Sequence, residues 1–365
     1  MPPSNITAFC GLGLITTVAL LFVYDMLPTD PLKIGRRLKL IMPDRRSQTI
    51  VPDRRVMAIM EVYFNKQNIR NIQKITKRYF HSKKDVIYFS DFKTFMKKCD
   101  HRTFTLRESP KKTCNVVRTP IKHYRTCAVV GNGGILLHSS CGAEIDAHEF
   151  VIRSNLPPVH DYRRDVGSRT DLTIINGKRL TQISDALQSD DSRRLKNALA
   201  LLGEAPGMIL SPSIQLTEHD LLQKMKVIDT AIKDNKMSTI TAFPSSSFKD
   251  YKGLYLELLG KMSRGTFAST GLNTFALAST FCDKISMYGF YPASSYQDKP
   301  VPYHYYDKHG HSESHELFKE NELLEQLDDQ RVIRLVVGKC KDVRTIQSAL
   351  EGVWSRLQKL GKLVI

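Results

Sequence analysis

The chain has 365 residues, 41% of them hydrophobic and 25% charged, which supplies at least one large core and excludes a wholly disordered or fibrous protein. The formal charge is +17, and its placement is local: residues 28–126 carry 25 Lys and Arg against 8 Asp and Glu, while the rest carries 29 of each sign. The basic third suits a solvated stem, an anionic membrane, an acidic substrate or nucleic acid. Nucleic acid is disfavoured, because aromatic residues do not interleave with the basic ones and no nucleic-acid motif is present.

Residues 1–24 contain no Lys, Arg, Asp or Glu, and 8–24 (AFCGLGLITTVALLFVY) are mostly apolar, extending to 27 if Asp25 is accepted. That length is at the short end of the roughly 17–25 residues that span a bilayer. It is long for a cleaved signal, and neither a basic n-region nor an A-x-A site accompanies it. The segment reads as an uncleaved transmembrane anchor over 8–27 behind a short tail, 1–7. Lys33, Arg36 and Arg37 follow the span and no charge precedes it, so the positive-inside rule places the C-terminal side in the cytosol.

Residues 28–55, rich in Pro, Asp and Arg, read as a stem. Across 56–80 apolar residues recur at helical spacing (Val56, Ile59, Met60, Tyr63, then Ile69, Ile72, Ile75, Tyr79), which predicts one or two helices. Basic residues 103–125, with two prolines, read as loop and complete a basic segment over 56–125. From 126 the texture changes. Short strand-like runs at 127–130, 150–153, 172–175, 208–210, 240–243, 285–288 and 332–337 alternate with helical stretches such as 217–232, 251–262 and 272–281. This alternation predicts one α/β domain over 126–340, a mainly parallel Rossmann-like sheet flanked by helices. Residues 343–360 read as an amphipathic helix within an extension, 341–365.

Of seven cysteines, Cys10 lies in the apolar segment. The other six, Cys99, Cys114, Cys127, Cys141, Cys282 and Cys340, suit disulfides in an oxidising lumen or reduced thiols in a cytosolic protein. No C-x-x-C pair or zinc spacing occurs among them, so no zinc site is expected.

The chemistry concentrates at 127–155, CAVVGNGGILLHSSCGAEIDAHEFVIRSN, which reads as strand, glycine turn, helix, strand. Such a turn can bring backbone N–H groups to a phosphate or ribose, or can simply be tight; G-N-G-G is neither G-x-G-x-x-G nor a Walker loop. As a whole, 127–171 closely resembles the large sialylmotif of animal sialyltransferases, with G-N-x-G, C-G-x-E-I-D, F-V-x-R-x-N and D-V-G-x-x-T-D. Ser269-Thr270-Gly271, Ala276-Leu277-Ala278, Cys282 and Tyr288-Gly289-Phe290-Tyr291-Pro292 resemble the small motif. Tyr303-His304-Tyr305-Tyr306-Asp307 resembles the third, and His315 with Glu320 the last, His-x4-Glu. The E-I-D and H-Y-Y-D forms are most similar to the alpha-2,8 branch.

The resemblance implies a Golgi membrane protein of single-pass type II topology with a luminal catalytic domain. It would move sialic acid from CMP-sialic acid to a sialylated glycan on a glycolipid or glycoprotein, without metal and with inversion. It implies donor contacts from Asn132, Asn155, Ser269, Thr270, Gly271, Tyr291, Tyr303 and His304. His315 would be the general base and His304 the helper of the leaving phosphate, since an imidazole suits proton transfer near neutral pH. Glu320 would be either functional or a plain helix-face carboxylate. The implied disulfides are Cys127–Cys282 and Cys141–Cys340, leaving Cys99 and Cys114 as a possible third pair. Rival readings are transfer to galactose or N-acetylgalactosamine, and a silent, membrane-anchored glycan-binding homologue.

Some features depart from the pattern. The one N-x-S/T sequon, Asn5-Ile6-Thr7, precedes the anchor, and Ser154 stands where relatives often have cysteine. Basic residues crowd ahead of the large motif (Lys97, Lys98, Arg102, Arg107, Lys111, Lys112, Arg118, Lys122, Arg125). The window 239–268 carries an excess of only two, which suits transfer of one or a few sialic acids rather than a polymer.

Overall fold

A computed structural model describes residues 63–80, 86–89, 116–118, 121–211, 219–244, 252–259, 267–307 and 315–340. The anchor, the stem, Cys99, Cys114 and the 341–365 extension lie outside the described residues. No helix among the described residues is long and apolar enough to cross a membrane.

In chain order the strands are β1 Val86–Phe89, β2 Val116–Arg118, β3 Tyr124–Val130, β4 Phe150–Ser154, β5 Leu172–Ile174, β6 Met208–Leu210, β7 Ile240–Pro244, β8 Cys282–Tyr288, the short pair β9 Ser295–Tyr296 and β10 Lys299–Pro300, and β11 Ile333–Val336. The helices are α1 Lys66–Thr76, α2 Gly142–Asp146, α3 Arg163–Val166, α4 Gly177–Leu187, α5 Ser192–Gly203, α6 His219–Asp234, α7 Lys252–Leu259, α8 Thr270–Ala278 and α9 Leu317–Asp329.

Nine strands form one sheet in the order β11-β8-β3-β4-β5-β6-β7-β1-β2. Every pair from β11 to β7 is parallel, and the seven strands involved are the seven read from the sequence. Their continuous apolar character follows from burial on both faces. Cys127, Val129, Phe150 and Ile152 face a core shared with α8 and α9, whereas Ala128, Val130 and Val151 face a second core that includes Ile145, Val166 and Tyr305. A third cluster joins Ile175 and Ile209 to α4, α5 and α6.

The far edge corrects the loop reading of 103–125. β2 lies within it, pairing antiparallel with β1, which pairs antiparallel with β7. Three residues between basic and proline-containing stretches carry no period, so this strand is set by its partner rather than by local pattern. The sheet therefore extends into the basic segment, ahead of residue 126. Of the helices predicted within 56–80, the structure contains α1 over Lys66–Thr76, capped by Asn65 and packed through Ile69 and Ile72 onto the first core.

Two disulfides brace the sheet. Cys127–Cys282 joins the neighbouring strands β3 and β8, and Cys141–Cys340 ties the start of α2 to the end of the described chain, with Cα atoms 6.1 Å and 4.9 Å apart. These are the pairs the resemblance implies.

Candidate active site

From β3 the chain winds one way through β4, β5, β6 and β7, and later the other way through β8 and β11. The winding reverses between β3 and β8, and in such sheets the crevice beyond the carboxyl ends at the reversal is the usual ligand site. A cleft of about 380 Å³ opens there.

The loops after β3 and β8 are fused at its floor. Gly131 N–H donates to the Tyr288 carbonyl (2.7 Å), Gly133 N–H to Gly289 (3.0 Å) and Gly134 N–H to Pro302 (3.1 Å). The three glycines of the turn thus spend their N–H groups on the protein's own fold and do not hold them out to a phosphate. Its glycines are required by proximity: a Cβ on Gly133 would stand 2.6 Å from the Gly289 carbonyl oxygen. What the turn presents is Asn132, whose Nδ2 donates to the Ser154 carbonyl at 3.0 Å. Its buried Oδ1 has no partner among the described residues.

Asn155 follows β4 with φ +65°, a left-handed conformation that asparagine tolerates better than most residues. Its Oδ1 accepts from Asn176 N–H (3.0 Å) and its Nδ2 reaches Thr270 Oγ1 (3.4 Å). Asn176 caps α4 and also donates to Thr270 Oγ1 (3.1 Å). Arg179 donates to the carbonyls of Asn155 and Leu156, holding two successive left-handed residues. Burial lowers its pKa.

Ser269 caps α8, accepting from Leu272 N–H at 3.1 Å. Its hydroxyl and its N–H donate to Glu320 at 2.6 and 2.7 Å. Its side chain is thereby committed to the protein, which leaves Thr270 as the hydroxyl of this pair set among the asparagines. Gly271 passes so close to Phe290 that a Cβ would meet its ring at 2.4 Å.

His304 Nδ1 lies 3.0 Å from Asp307 Oδ1, and its ring stacks on Tyr306 and tilts against Tyr303. Burial raises the pKa of both tyrosines, that of Tyr306 to about 12, so both stay protonated. Tyr291 donates its hydroxyl to the Ser295 carbonyl at 2.9 Å. His315 Nδ1 lies 2.8 Å from the carbonyl oxygen of Phe267, which can only accept, so Nδ1 carries a proton, and in the neutral ring Nε2 is the nitrogen with the lone pair.

All nine residues picked out for donor binding or catalysis, Asn132, Asn155, Ser269, Thr270, Gly271, Tyr291, Tyr303, His304 and His315, line this one cleft. Asn176, Lys178, Arg179, Phe290, Tyr306 and Asp307 line it too, without having been assigned a role from the sequence. Phe290, Tyr306 and Asp307 stood inside quoted motifs; the residues at the start of α4 had no such signal.

Residues 66–332 match the family model described as Glycosyltransferase family 29 (sialyltransferase). This chain belongs to that family. Two curated sialyltransferases named Alpha-2,8-sialyltransferase 8F are similar to it. The Mus musculus protein is 34% identical over 224 residues, and the Pan troglodytes protein 36% over 227; each match covers 60% of this chain and 54% of the relative. The chain thus spans about half the length of the curated relatives it matches. Solved sialyltransferase structures also align: a mammalian enzyme at TM-score 0.39, and a mammalian enzyme in complex with Gal-beta-1-3GalNAc-ortho-nitrophenol at 0.38. Both are 22% identical, with 59% of this chain and 70% of theirs covered.

Proposed function

We propose that this chain transfers sialic acid from CMP-sialic acid to a sialylated glycan on a glycolipid or glycoprotein, forming an alpha-2,8 linkage. Family membership and the names of the relatives support the reaction class and the linkage. The observation that carries the site is convergence: residues from four separate motifs meet in one cleft where the sheet reverses.

In this reading the nucleotide lies over the β3 and β8 loops, with Asn132, Asn155 and Thr270 as its polar contacts and Tyr291 and Tyr303 along its edge. The acceptor hydroxyl gives its proton to His315 Nε2 as its oxygen attacks the anomeric carbon. The bond from that carbon to the phosphate oxygen breaks, and its electron pair leaves on CMP. Attack opposite the leaving group inverts the centre. His304, oriented by Asp307, offers its other nitrogen as donor to the phosphate charge that develops. The phosphate is a monoester on departure, and the reaction is proposed to run without metal. Placement in the Golgi membrane, with the catalytic part in the lumen, rests on the 8–27 segment and on two disulfides, which persist in oxidising compartments.

The test is transfer of labelled sialic acid from CMP-sialic acid with EDTA present, to sialylated and desialylated glycolipids and glycoproteins, alongside His315→Ala. We expect transfer only to sialylated acceptors, reduced about 10²–10⁴-fold in kcat by the substitution. Transfer to desialylated acceptors overturns the linkage and keeps the class. CMP binding without transfer by the disulfide-intact chain favours the silent glycan-binding homologue.

A further inference from the structure

Large hydrophobic side chains are left exposed at two places among the described residues, Phe267 at 57% and Phe318 at 65%. Phe150, Phe275 and Phe281 are buried in the main core. Leaving two phenylalanines in water forfeits the stabilisation their burial would bring, and an exposed aromatic side chain packed on a cleft-lining residue marks a surface that a ligand can cover.

Phe267 stands at the His315 corner, beside the cleft rather than in its lining, and Phe318 is near it along the chain. The Phe267 carbonyl accepts a hydrogen bond from His315 Nδ1–H, and the Phe267 ring meets the imidazole at 90° with centroids 5.0 Å apart. Phe318 lies three residues past His315, in the first turn of α9. With Nδ1 committed to Phe267, an acceptor hydroxyl must come to Nε2, and the sugar that carries it arrives beside the Phe267 ring. An aromatic face carries negative charge density and suits the weakly positive C–H groups on the apolar side of a pyranose.

We propose that Phe267, with Phe318, is the acceptor platform of this enzyme, stacking on the C–H face of the sugar that bears the attacking hydroxyl. This rests on the sialyltransferase reading of the cleft. It names Phe267, which no sequence motif includes, and Phe318, at an unspecified position of the last motif, and it makes them specificity-determining for the acceptor while leaving the donor to Asn132, Asn155 and Thr270.

The test uses the full chain and the variants Phe267→Ala, Phe318→Ala, the double variant and Phe267→Leu. Each is assayed for acceptor KM on a free sialylated oligosaccharide and on the same glycan with a long alkyl aglycone, and for CMP affinity by calorimetry. We expect acceptor KM to rise about tenfold in the double variant for both acceptors, with CMP affinity unchanged. Phe267→Leu keeps apolar bulk and loses the ring, so it should behave like Phe267→Ala. Unchanged acceptor KM in the double variant overturns the platform, as does a parallel loss of CMP affinity. A rise confined to the alkyl-bearing acceptor, or a wild-type KM in Phe267→Leu, overturns stacking on the sugar. If the wild type transfers to no acceptor, the sialyltransferase reading itself fails. Saturation-transfer NMR of the oligosaccharide with CMP present then decides the platform alone. A sugar signal that disappears in the double variant supports the platform, and one that persists overturns it.

Discussion

Glu320 occupies a place in α9 that the helix's own pattern gives to an apolar side chain. Glu320, Leu323, Leu324 and Leu327 are the buried stripe, at the i, i+3, i+4, i+7 spacing of a core-facing helix. Burial raises the carboxyl pKa, and the two hydrogen bonds from Ser269 oppose that rise. Such a group is tolerated because it ties the first turn of α9 to the cap of α8. Glu320→Ala leaves two half-buried donors on Ser269 unmatched, and we expect a loss of about 1–2 kcal/mol in a denaturant melt. Donor KM should rise more than kcat falls, because the cap moves and the base stays. His148 makes a different use of burial. Desolvation lowers its pKa to about 4, against the favourable effect of the Glu144 carbonyl and carboxylate, with Tyr288 and Arg334 beside it. The unfolded chain takes up this proton near pH 6.5 and the folded chain only near 4, so stability contributed by neutral His148 is complete above pH 6.5. It is lost as pH falls, by about 3 kcal/mol in all. Melts of the wild type and His148→Gln at pH 7 and pH 4.5 check this: the substitution should flatten the dependence over that range.

At the scale of elements, the site is made by two loops that touch. β3 and β8 are hydrogen-bonded neighbours, Cys127–Cys282 joins them, and their loops close through the Gly131, Gly133 and Gly134 N–H groups. Gly133 has φ −60°, which any residue adopts, so Gly133→Ala fails on contact rather than on conformation. We expect it to cost about 1–3 kcal/mol and to weaken CMP binding well beyond that loss, since the displaced loop carries Asn132. A melt paired with CMP calorimetry separates the two effects, and CMP affinity that tracks stability alone would refute the expectation. The same scale explains what the sequence let a reader see. The seven parallel strands were legible because both their faces are buried and their runs are unbroken. β2 was not, being three residues held by an edge partner. The motif residues announced the cleft, but their division of labour did not follow from them. Ser269 was implied as a donor contact and is spent on Leu272 and Glu320, while the turn glycines, open to serving a phosphate or simply making a tight turn, are spent on Tyr288, Gly289 and Pro302. Arg179 was invisible because the turn it holds, Asn155-Leu156, is left-handed, and nothing in N-L-P declares that.

At the scale of the whole molecule two signals conflict. Lys33, Arg36 and Arg37 after the apolar segment argue for a cytosolic C-terminal side, whereas Cys127–Cys282 and Cys141–Cys340 argue for an oxidising lumen. The disulfides weigh more in this proposal. They close separations of 155 and 199 residues, and loops of that length are worth about 5 kcal/mol each in the chain-entropy model, whereas a flanking-charge bias sets only a preference of insertion. The fold offers a direct reporter. Asp190 is exposed in the loop between α4 and α5, followed by Asp191, which caps α5, and by Ser192. Asp190→Asn completes an N-x-S acceptor there while leaving the Asp191 cap in place, so the fold has no reason to change. Expressed as the full chain in a secretory cell, the variant should gain one glycosidase-sensitive step in mobility that the wild type lacks. The natural sequon at Asn5, on the other side of the 8–27 segment, should stay unmodified. A variant that runs with the wild type, while Asn5 becomes modified, would invert the topology. It would also leave Cys127–Cys282 and Cys141–Cys340 in a reducing compartment, which the sequence charges favour and the paired cysteines do not.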